Sequence, residues 1–334
     1  MANAFRVISA ADVRGLVKMR DAIEAVRHAF IAVSAGHIEQ PTRLVVDGGR
    51  ALAMLACDRE AGGTVLKGIT IHSENPSAGR PAVQAAVLWF SGATGTPEAL
   101  IDGTTLTAMR TGAASGVATD LLAAPRAGVL AVIGSGGQAP DQIRAVCAVR
   151  PIREVRIVSR TPANARRVAK AMSRELDPVR VVPFDKISKA IHDADVICTA
   201  TDSREPLFDL SDLQDRVHVN AIGAFTEDMC ELPAALLEDA SVIAIDQIDA
   251  TMAEAGDLLR ALRSGHIAQS KLAEIGVLLT RPQVSVGRTV FKSVGIAAQD
   301  WALAKLVVEK ASSSAGGLQS WPGEWPEGGG DRAR

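Results

Sequence analysis

Gly128-Val129-Leu130-Ala131-Val132-Ile133 runs directly into Gly134-Ser135-Gly136-Gly137-Gln138-Ala139. A short apolar run with no polar alternation describes a strand buried on both faces, as in a parallel sheet. The glycine-rich run behind it fits G-x-G-x-x-G/A, with Ala139 in the last place. Gly134 permits the tight turn, Gly136 lets the backbone approach a pyrophosphate, and small Ala139 lets helix and strand pack closely. A helix opening on such a loop turns its free N–H groups and positive end toward phosphate. Pro140 in the first turn is tolerated, because the first helical amides need no intrahelical partner. The alternative is a glycine turn in an unrelated α/β sheet.

The surrounding pattern favours dinucleotide binding. A helix over 142–149, a strand over 154–159, a helix over 162–174 and strands over 180–183, 194–198, 217–222 and 242–244 repeat a βα unit. Such repeats imply a parallel sheet with right-handed crossovers. Upstream, Ile23, Val26, Phe30 and Val33 recur at helical spacing within 19–35, and Gly36 stands at the C-terminal cap. Strands over 64–71, 85–90 and 97–101, with a turn signal at 91–96, read as an antiparallel sheet in an α+β unit. The helix over 106–123 is rich in small residues and suits close approach to another backbone. A final helical region covers 290–309. Residues 312–334, with their serine and glycine runs, have the composition of a disordered tail.

Composition narrows the function. The 334 residues carry 36 basic and 38 acidic side chains, a formal charge of −2. That balance excludes a grip on nucleic acid or anionic lipid through bulk charge. Tyrosine is absent, so no tyrosine acid takes part in any mechanism. Cys57, Cys147, Cys198 and Cys230 show no C-x-x-C pairing, which fits neither zinc nor a disulfide framework and points to a reducing cytoplasm. The six histidines lack ligand spacing, so no metal is expected. No export leader is visible at the N-terminus, and no apolar run approaches the roughly 20 residues of a membrane span.

A second reader of the cofactor belongs at the end of the second strand. NAD-binding folds usually place Asp or Glu there, about 20 residues beyond the loop. This chain shows Val158-Ser159-Arg160-Thr161. With no carboxylate in the segment, Ser159, Arg160 and Thr161 suit an adenosine 2′-phosphate, which makes NADPH the expected cofactor and NADH the alternative. A solvated arginine at a strand end is the competing reading of Arg160.

The run Asp102-Gly103-Thr104-Thr105-Leu106-Thr107-Ala108-Met109-Arg110-Thr111-Gly112-Ala113-Ala114-Ser115 resembles a signature segment of the ornithine cyclodeaminase/μ-crystallin family. So do the loop from Gly134 to Ala139, Asn220-Ala221-Ile222-Gly223-Ala224 leading to Glu231-Leu232, and Phe291-Lys292-Ser293-Val294-Gly295. The match covers roughly 10–310 in the family's order. It implies a Rossmann-type doubly wound parallel sheet over 116–289. It also implies an α+β substrate-binding and dimerisation domain over 1–115, completed by C-terminal helices over 290–311. A homodimer through the sheet of residues 50–102 would cover apolar strands such as 87–90.

The resemblance also assigns roles. Arg43, Lys67 and Arg110 surround a substrate carboxylate, for which arginine offers a planar fork, and Lys67 is the candidate for proton delivery. Arg110, Thr111, Gly134, Gly136, Gln138, Ala139, Ser159, Arg160, Thr161, Thr199, Thr201 and Ile222 face the cofactor, and Ser293 approaches the nicotinamide. One departure is informative. Cyclodeaminases carry Asp after the glycine pair ending the fifth strand, where this chain has Phe225. Phenylalanine takes no proton, and Asp228 lies outside the matching position. The pattern looks more like the branch that reduces cyclic ketimines such as Δ1-pyrroline-2-carboxylate or Δ1-piperideine-2-carboxylate. An amino-acid dehydrogenase of the alanine type, and a non-catalytic NADPH-dependent binder of a small acid, are the other readings.

Overall fold

Successive side chains of a strand face opposite sides of its sheet, so a strand buried on one face shows a two-residue period. The computed structural model describes residues 5–281, 286–313 and 319–320, and its first sheet shows this period. That sheet contains β1 (Arg6–Ile8), β2 (Ile38–Glu39), β3 (Leu44–Val46) and β4 (Ala51–Asp58). β5 (Thr64–Ile71), β6 (Val83–Phe90) and β7 (Pro97–Asp102) complete it, with Gln319–Ser320 adding an antiparallel edge beside β1. Pairing runs β1-β7-β6-β5-β4-β2, with β3 also on β4. Only the β1–β7 pair in that run is parallel.

Leu52, Met54 and Ala56 of β4 and Val65, Lys67 and Ile69 of β5 point inward. They face a core shared with α1 (Ala10–Leu16), α2 (Met19–Ser34) and α3 (Gly103–Leu122). The buried stripe of α2 is Ala22, Ile23, Val26, Ala29, Phe30 and Val33, and Gly36 at φ +77° turns the chain away after it. The outer face carries Leu55, Leu66 and Leu88 in direct cross-strand register. Leu55 and Leu66 are exposed there, as are Leu44, Val45 and Val46 of β3.

The second sheet begins with β8 (Val129–Ile133), α4 (Ala139–Val149), β9 (Glu154–Val158), α5 (Pro162–Glu175) and β10 (Arg180–Phe184). It continues with α6 (Ile187–Ile191), β11 (Val196–Thr199), β12 (His218–Ala221), α7 (Ala234–Asp239) and β13 (Val242–Ile245). Then come α8 (Ile248–Glu254), α9 (Gly256–Arg263), β14 (Leu272–Glu274), α10 (Ile275–Leu279), β15 (Thr289–Lys292) and α11 (Ala297–Ser313). Its eight strands are parallel, in the order β10-β9-β8-β11-β12-β15-β13-β14. The chain reverses its winding between β8 and β11, where doubly wound sheets leave a crevice at the carboxyl ends.

Two expectations need correction. The helical region expected from 290 starts as strand β15, wedged between β12 and β13 with all four residues buried. A strand buried on both faces loses its alternation, so its sequence gives no two-residue signal. Gly295, at φ +79°, then breaks the chain before α11. The tail expected to be disordered from 312 is ordered where it is described, since Ser312 and Ser313 finish α11 and Gln319–Ser320 pair with β1. The rest of 312–334, including Trp321 and Trp325, lies outside the described residues.

Residues 115 and 116, the expected boundary, fall inside α3, which is buried along most of its length. A Cβ on Gly112 would meet the Asp141 carbonyl oxygen at 2.5 Å, and one on Gly116 would meet the Ile23 side chain at 2.7 Å. Small residues therefore let α3 pack at once on α4 and α2. Beside that contact the fully buried Asp141 accepts two hydrogen bonds from Arg14 of α1, at 2.9 and 2.8 Å, and one from Arg144 at 2.8 Å. Asp141→Ala removes these acceptors and lowers stability by about 2 kcal/mol, the scale of hydrogen bonds to charged groups. Urea unfolding checks this as a lower midpoint at unchanged m-value.

Candidate active site

The carboxyl ends of the parallel strands carry the glycine loop and the cofactor residues expected from sequence. Gly134 has φ +113°, and a Cβ there would lie 2.3 Å from the Ala200 carbonyl oxygen, so glycine is required on both counts. Nothing lies within 4 Å of a Cβ on Gly136 or Gly137, so this loop presents bare backbone to open space. Gln138 precedes α4 with its Oε1 buried and without a hydrogen-bond partner among the described residues, and Ala139 is fully buried beneath the helix start. An open glycine cradle at a helix N-terminus fits a dinucleotide pyrophosphate.

Glu231 organises the far wall of the crevice. Its carboxylate accepts from Thr199 Oγ1, Thr201 N, Thr201 Oγ1 and Gly223 N at 2.8 Å each, and from Ala224 N at 3.2 Å. Burial pushes the Glu231 carboxyl above its ordinary range, opposed chiefly by Lys292. Lys292, also fully buried, donates to the Ala224 carbonyl at 2.6 Å and pairs with Asp257 at 2.5 Å. Ile222 N bonds the Thr199 carbonyl at 3.0 Å. The hydroxyls of Thr199 and Thr201 are thus committed to Glu231. At the adenosine end, the Ser159 hydroxyl accepts from Ser135 Oγ at 2.8 Å and from Thr161 N at 3.4 Å. Arg160 is 85% exposed, with Asp202 at 3.4 Å. Folding therefore brings a carboxylate to this corner that the strand-end segment itself lacks.

The three predicted cations come together around a carboxylate that the sequence reading missed. Strand alternation points Lys67 inward between Val65 and Ile69. Its Nζ lies 2.6 Å from Asp300 of α11, and both side chains are fully buried. Arg110 Nε of α3 is 3.2 Å from the other Asp300 oxygen, and Arg110 Nη1 donates to Gln299 Oε1 at 2.5 Å. Arg43 Nη2 donates to the Val294 and Gly295 carbonyls at 2.7 Å each and lies 2.7 Å from Glu254. Burial pushes Lys67 down to about 7; Asp300 opposes this, and Arg110 and Arg43 add to it. Burial also lowers Arg43, and it raises the Glu254 carboxyl.

A cavity of about 250 Å³ opens beside this cluster, lined among others by Arg43, Met54, Gln247, Glu254, Gly295 and Ile296. Arg43 Nε and Nη1 and Arg110 Nη2 make no hydrogen bond to protein among the described residues. These donors are the fork available to a carboxylate. Thr111 donates its hydroxyl to the Thr107 carbonyl at 2.8 Å, and Ser293 donates its own to Asp246 at 2.9 Å. Phe225 is half-buried in the loop after β12. Asp228 faces outward, paired with Arg204 at 2.9 Å and bonded to Thr226, so it does not replace a carboxylate at the Phe225 position.

Among the described residues, no group of three or more His, Cys, Asp or Glu is placed to hold a metal, and no helix is long and apolar enough to cross a membrane.

The doubly wound sheet with its open glycine loop is the fold of dinucleotide-binding proteins. Within that class the chain belongs to the ornithine cyclodeaminase/mu-crystallin family, whose model matches residues 4–315. It is 35% identical over 316 residues to the Δ1-pyrroline-2-carboxylate reductase of Bacillus cereus, covering 91% of this chain and 96% of the relative. The solved Thermococcus litoralis Δ1-pyrroline-2-carboxylate reductase, in complex with NADH and L-proline, superposes with a TM-score of 0.87 at 31% identity. That match covers 92% of this chain and 98% of the other. An archaeal alanine dehydrogenase dimer with bound NAD gives 0.85 at 29% identity, covering 95% and 99%.

Gly295 ties this geometry to a single atom. A Cβ there would lie 2.3 Å from Arg110 Nη1 and 2.9 Å from Nη2, at a φ of +79°. Gly295→Ala is expected to cost about 1–3 kcal/mol of stability from the backbone conformation. It also displaces the Arg110 guanidinium and weakens carboxylate binding by about tenfold or more, the worth of one charged hydrogen bond. Thermal melts and calorimetric titration with a small carboxylate check the two effects separately.

Proposed function

We propose that this chain is a nicotinamide-dependent imine reductase that converts a cyclic 2-imino carboxylate to the cyclic amino acid. The substrate is Δ1-pyrroline-2-carboxylate or Δ1-piperideine-2-carboxylate, and the product proline or pipecolate. The observation that carries this reading is the pairing of Lys67 and Arg110 with Asp300 and of Arg43 with Glu254 and the 294–295 turn, with spare arginine donors beside a small cavity. The activities named for the relatives support it. The first sheet with α11 is the substrate-binding and dimerising part, and the parallel sheet is the dinucleotide part.

When bound, the dinucleotide supplies a hydride to the ring carbon bearing the carboxylate. Arg43 and Arg110 hold that carboxylate and fix the ring, and such orientation lowers the barrier. Lys67 gives its proton to the ring nitrogen as the C=N bond becomes CH–NH, so the step balances as one hydride plus one proton. Its lowered pKa suits this task near neutral pH. Asp300 holds Lys67 in place. Burial of both groups keeps water from the proton.

NADPH is the cofactor proposed, supported by Ser159, Arg160 and Thr161 in place of a strand-end carboxylate. Asp202 opposes it by competing for Arg160. The four free cysteines support a cytoplasmic setting. A homodimer through the outer face of the first sheet would cover the Leu55-Leu66-Leu88 row.

Purified protein with reduced cofactor is expected to turn over one of the two ring sizes. Turnover of pyruvate plus ammonia with no action on either preformed ring would instead favour the alanine dehydrogenase reading. Lys67 as acid works while protonated, so kcat/KM should fall about tenfold per unit as pH rises beyond about 7. Lys67→Arg keeps its charge but releases no proton, so its kcat drops and that limb disappears.

Charge-assisted bonds to a 2′-phosphate are worth about 1.5–3 kcal/mol, enough for a preference for NADPH of about 10- to 100-fold. Ser159→Asp with Arg160→Ala should abolish that preference and spare NADH use, as read from kcat/KM with each cofactor. Sedimentation should show a dimer at micromolar concentration and a monomer after Leu66→Asp. A monomeric parent protein would defeat the dimer.

A further inference from the structure

Asp246 is remote in sequence from the basic cluster, yet it reaches two of the three cations. It directly follows β13 and is buried. Its Oδ2 accepts from Ser293 Oγ and Val294 N at 2.9 Å and from Gly295 N at 2.8 Å. Its Oδ1 accepts from Gln299 Nε2 at 3.0 Å. The first three bonds fix the turn between β15 and α11, and that turn offers the Val294 and Gly295 carbonyls to Arg43. The fourth fixes Gln299, whose Oε1 accepts from Arg110 Nη1 at 2.5 Å. Chemistry dictates how this amide lies. A carboxylate only accepts and a guanidinium only donates, so Gln299 turns its NH₂ to Asp246 and its carbonyl to Arg110.

We propose that Asp246 is the positioning residue that aims Arg43 and Arg110 at the substrate carboxylate, the first through the 293–295 turn and the second through Gln299. This rests on the reading of the site as a carboxylate receiver, though not on the reaction that follows. A residue that only held the turn together would be indifferent to the polarity of the link to Arg110. Asp246→Asn tests that polarity. Its remaining oxygen goes to the three donors of the turn, and its NH₂ faces Gln299. Gln299 must then reverse, turning its own NH₂ toward Arg110, which loses its acceptor. Adding Gln299→Glu supplies an oxygen to each side and restores both the pattern and the net charge.

The experiment uses the full chain and the probe pyrrole-2-carboxylate, a flat five-membered ring acid. Its affinity is measured by calorimetry beside KM and kcat for Δ1-pyrroline-2-carboxylate. D246N should weaken the probe and raise KM by about 10- to 100-fold, the range of a charged hydrogen bond. The rise in KM should exceed any fall in kcat, the sign of a lost binding contact. The D246N/Q299E double variant should recover most of the affinity. Probe affinity at the parent level in D246N, or a double variant that binds no better than D246N, overturns the proposal. Should D246N fail to fold, Q299M decides: it leaves the turn bonds in place and removes the Arg110 acceptor, so unaltered probe affinity is fatal. A parent protein that binds the probe but reduces no imine defeats the proposed reaction, and the variant affinities still decide the role of Asp246. One that binds no probe and reduces no imine defeats both.

Discussion

The Lys67–Asp300 pair sets the terms for the rest of the structure. Both side chains are fully buried, 2.6 Å apart, one on β5 and the other on α11. Removing two charges from water is costly, and leaving one buried alone costs about 3–5 kcal/mol more than leaving the pair intact. Neither partner can move far. Lys67 alternates with Val65 and Ile69, so a slip of one residue would turn the whole apolar set of β5 to the outside. Asp300 stands in the first turn of α11 beside Gln299 and Trp301. The late helix must therefore cross the first sheet, and the parallel sheet comes with it, because β15 ends only five residues before α11 begins.

This placement accounts for the charge around the cavity. Arg43 pairs with Glu254, Lys67 and Arg110 pair with Asp300, and Asp246 stands behind Arg110 through Gln299, so three carboxylates accompany the three cations. A cluster balanced in this way survives burial without a ligand. The donors of Arg43 and Arg110 that the carboxylates leave unused are those the proposed substrate carboxylate would meet.

What could be read from sequence was what short stretches encode. The strand-loop-helix around Gly134 needs only a few adjacent residues, and so does the stripe of α2. The Lys67 position followed from the family pattern alone. Asp300, Asp246 and Gln299 were not legible, and Glu231 showed only as part of a family motif without its role, because each acts on residues brought to it by folding. Asp300 meets Lys67 across 233 positions. On α11, Gln299 and Asp300 read as two polar residues in a helix that is otherwise largely apolar. The signal available was indirect: a lysine on the inward side of a strand demands a buried countercharge somewhere else in the chain. β15 escaped for the opposite reason, since a strand buried on both faces carries no alternation to read.

Glu231 and Asp246 also explain why one loop at this sheet edge is suited to phosphate and its neighbours are not. Each carboxylate collects backbone N–H groups at strand ends: Thr201 after β11 and Gly223 and Ala224 after β12 for Glu231, Val294 and Gly295 after β15 for Asp246. Those amides are occupied, and the carboxylates between them repel further negative charge. By contrast, the N–H groups of Ser135, Gly136, Gly137 and Gln138 donate to no group among the described residues. Free amides at the start of α4, with no carboxylate bonded among them, form the one loop of the four prepared for an anion. The same parallel edge thus favours an anion at the glycine loop by filling the other three from within, and the turn filled by Asp246 is the one whose carbonyls hold Arg43.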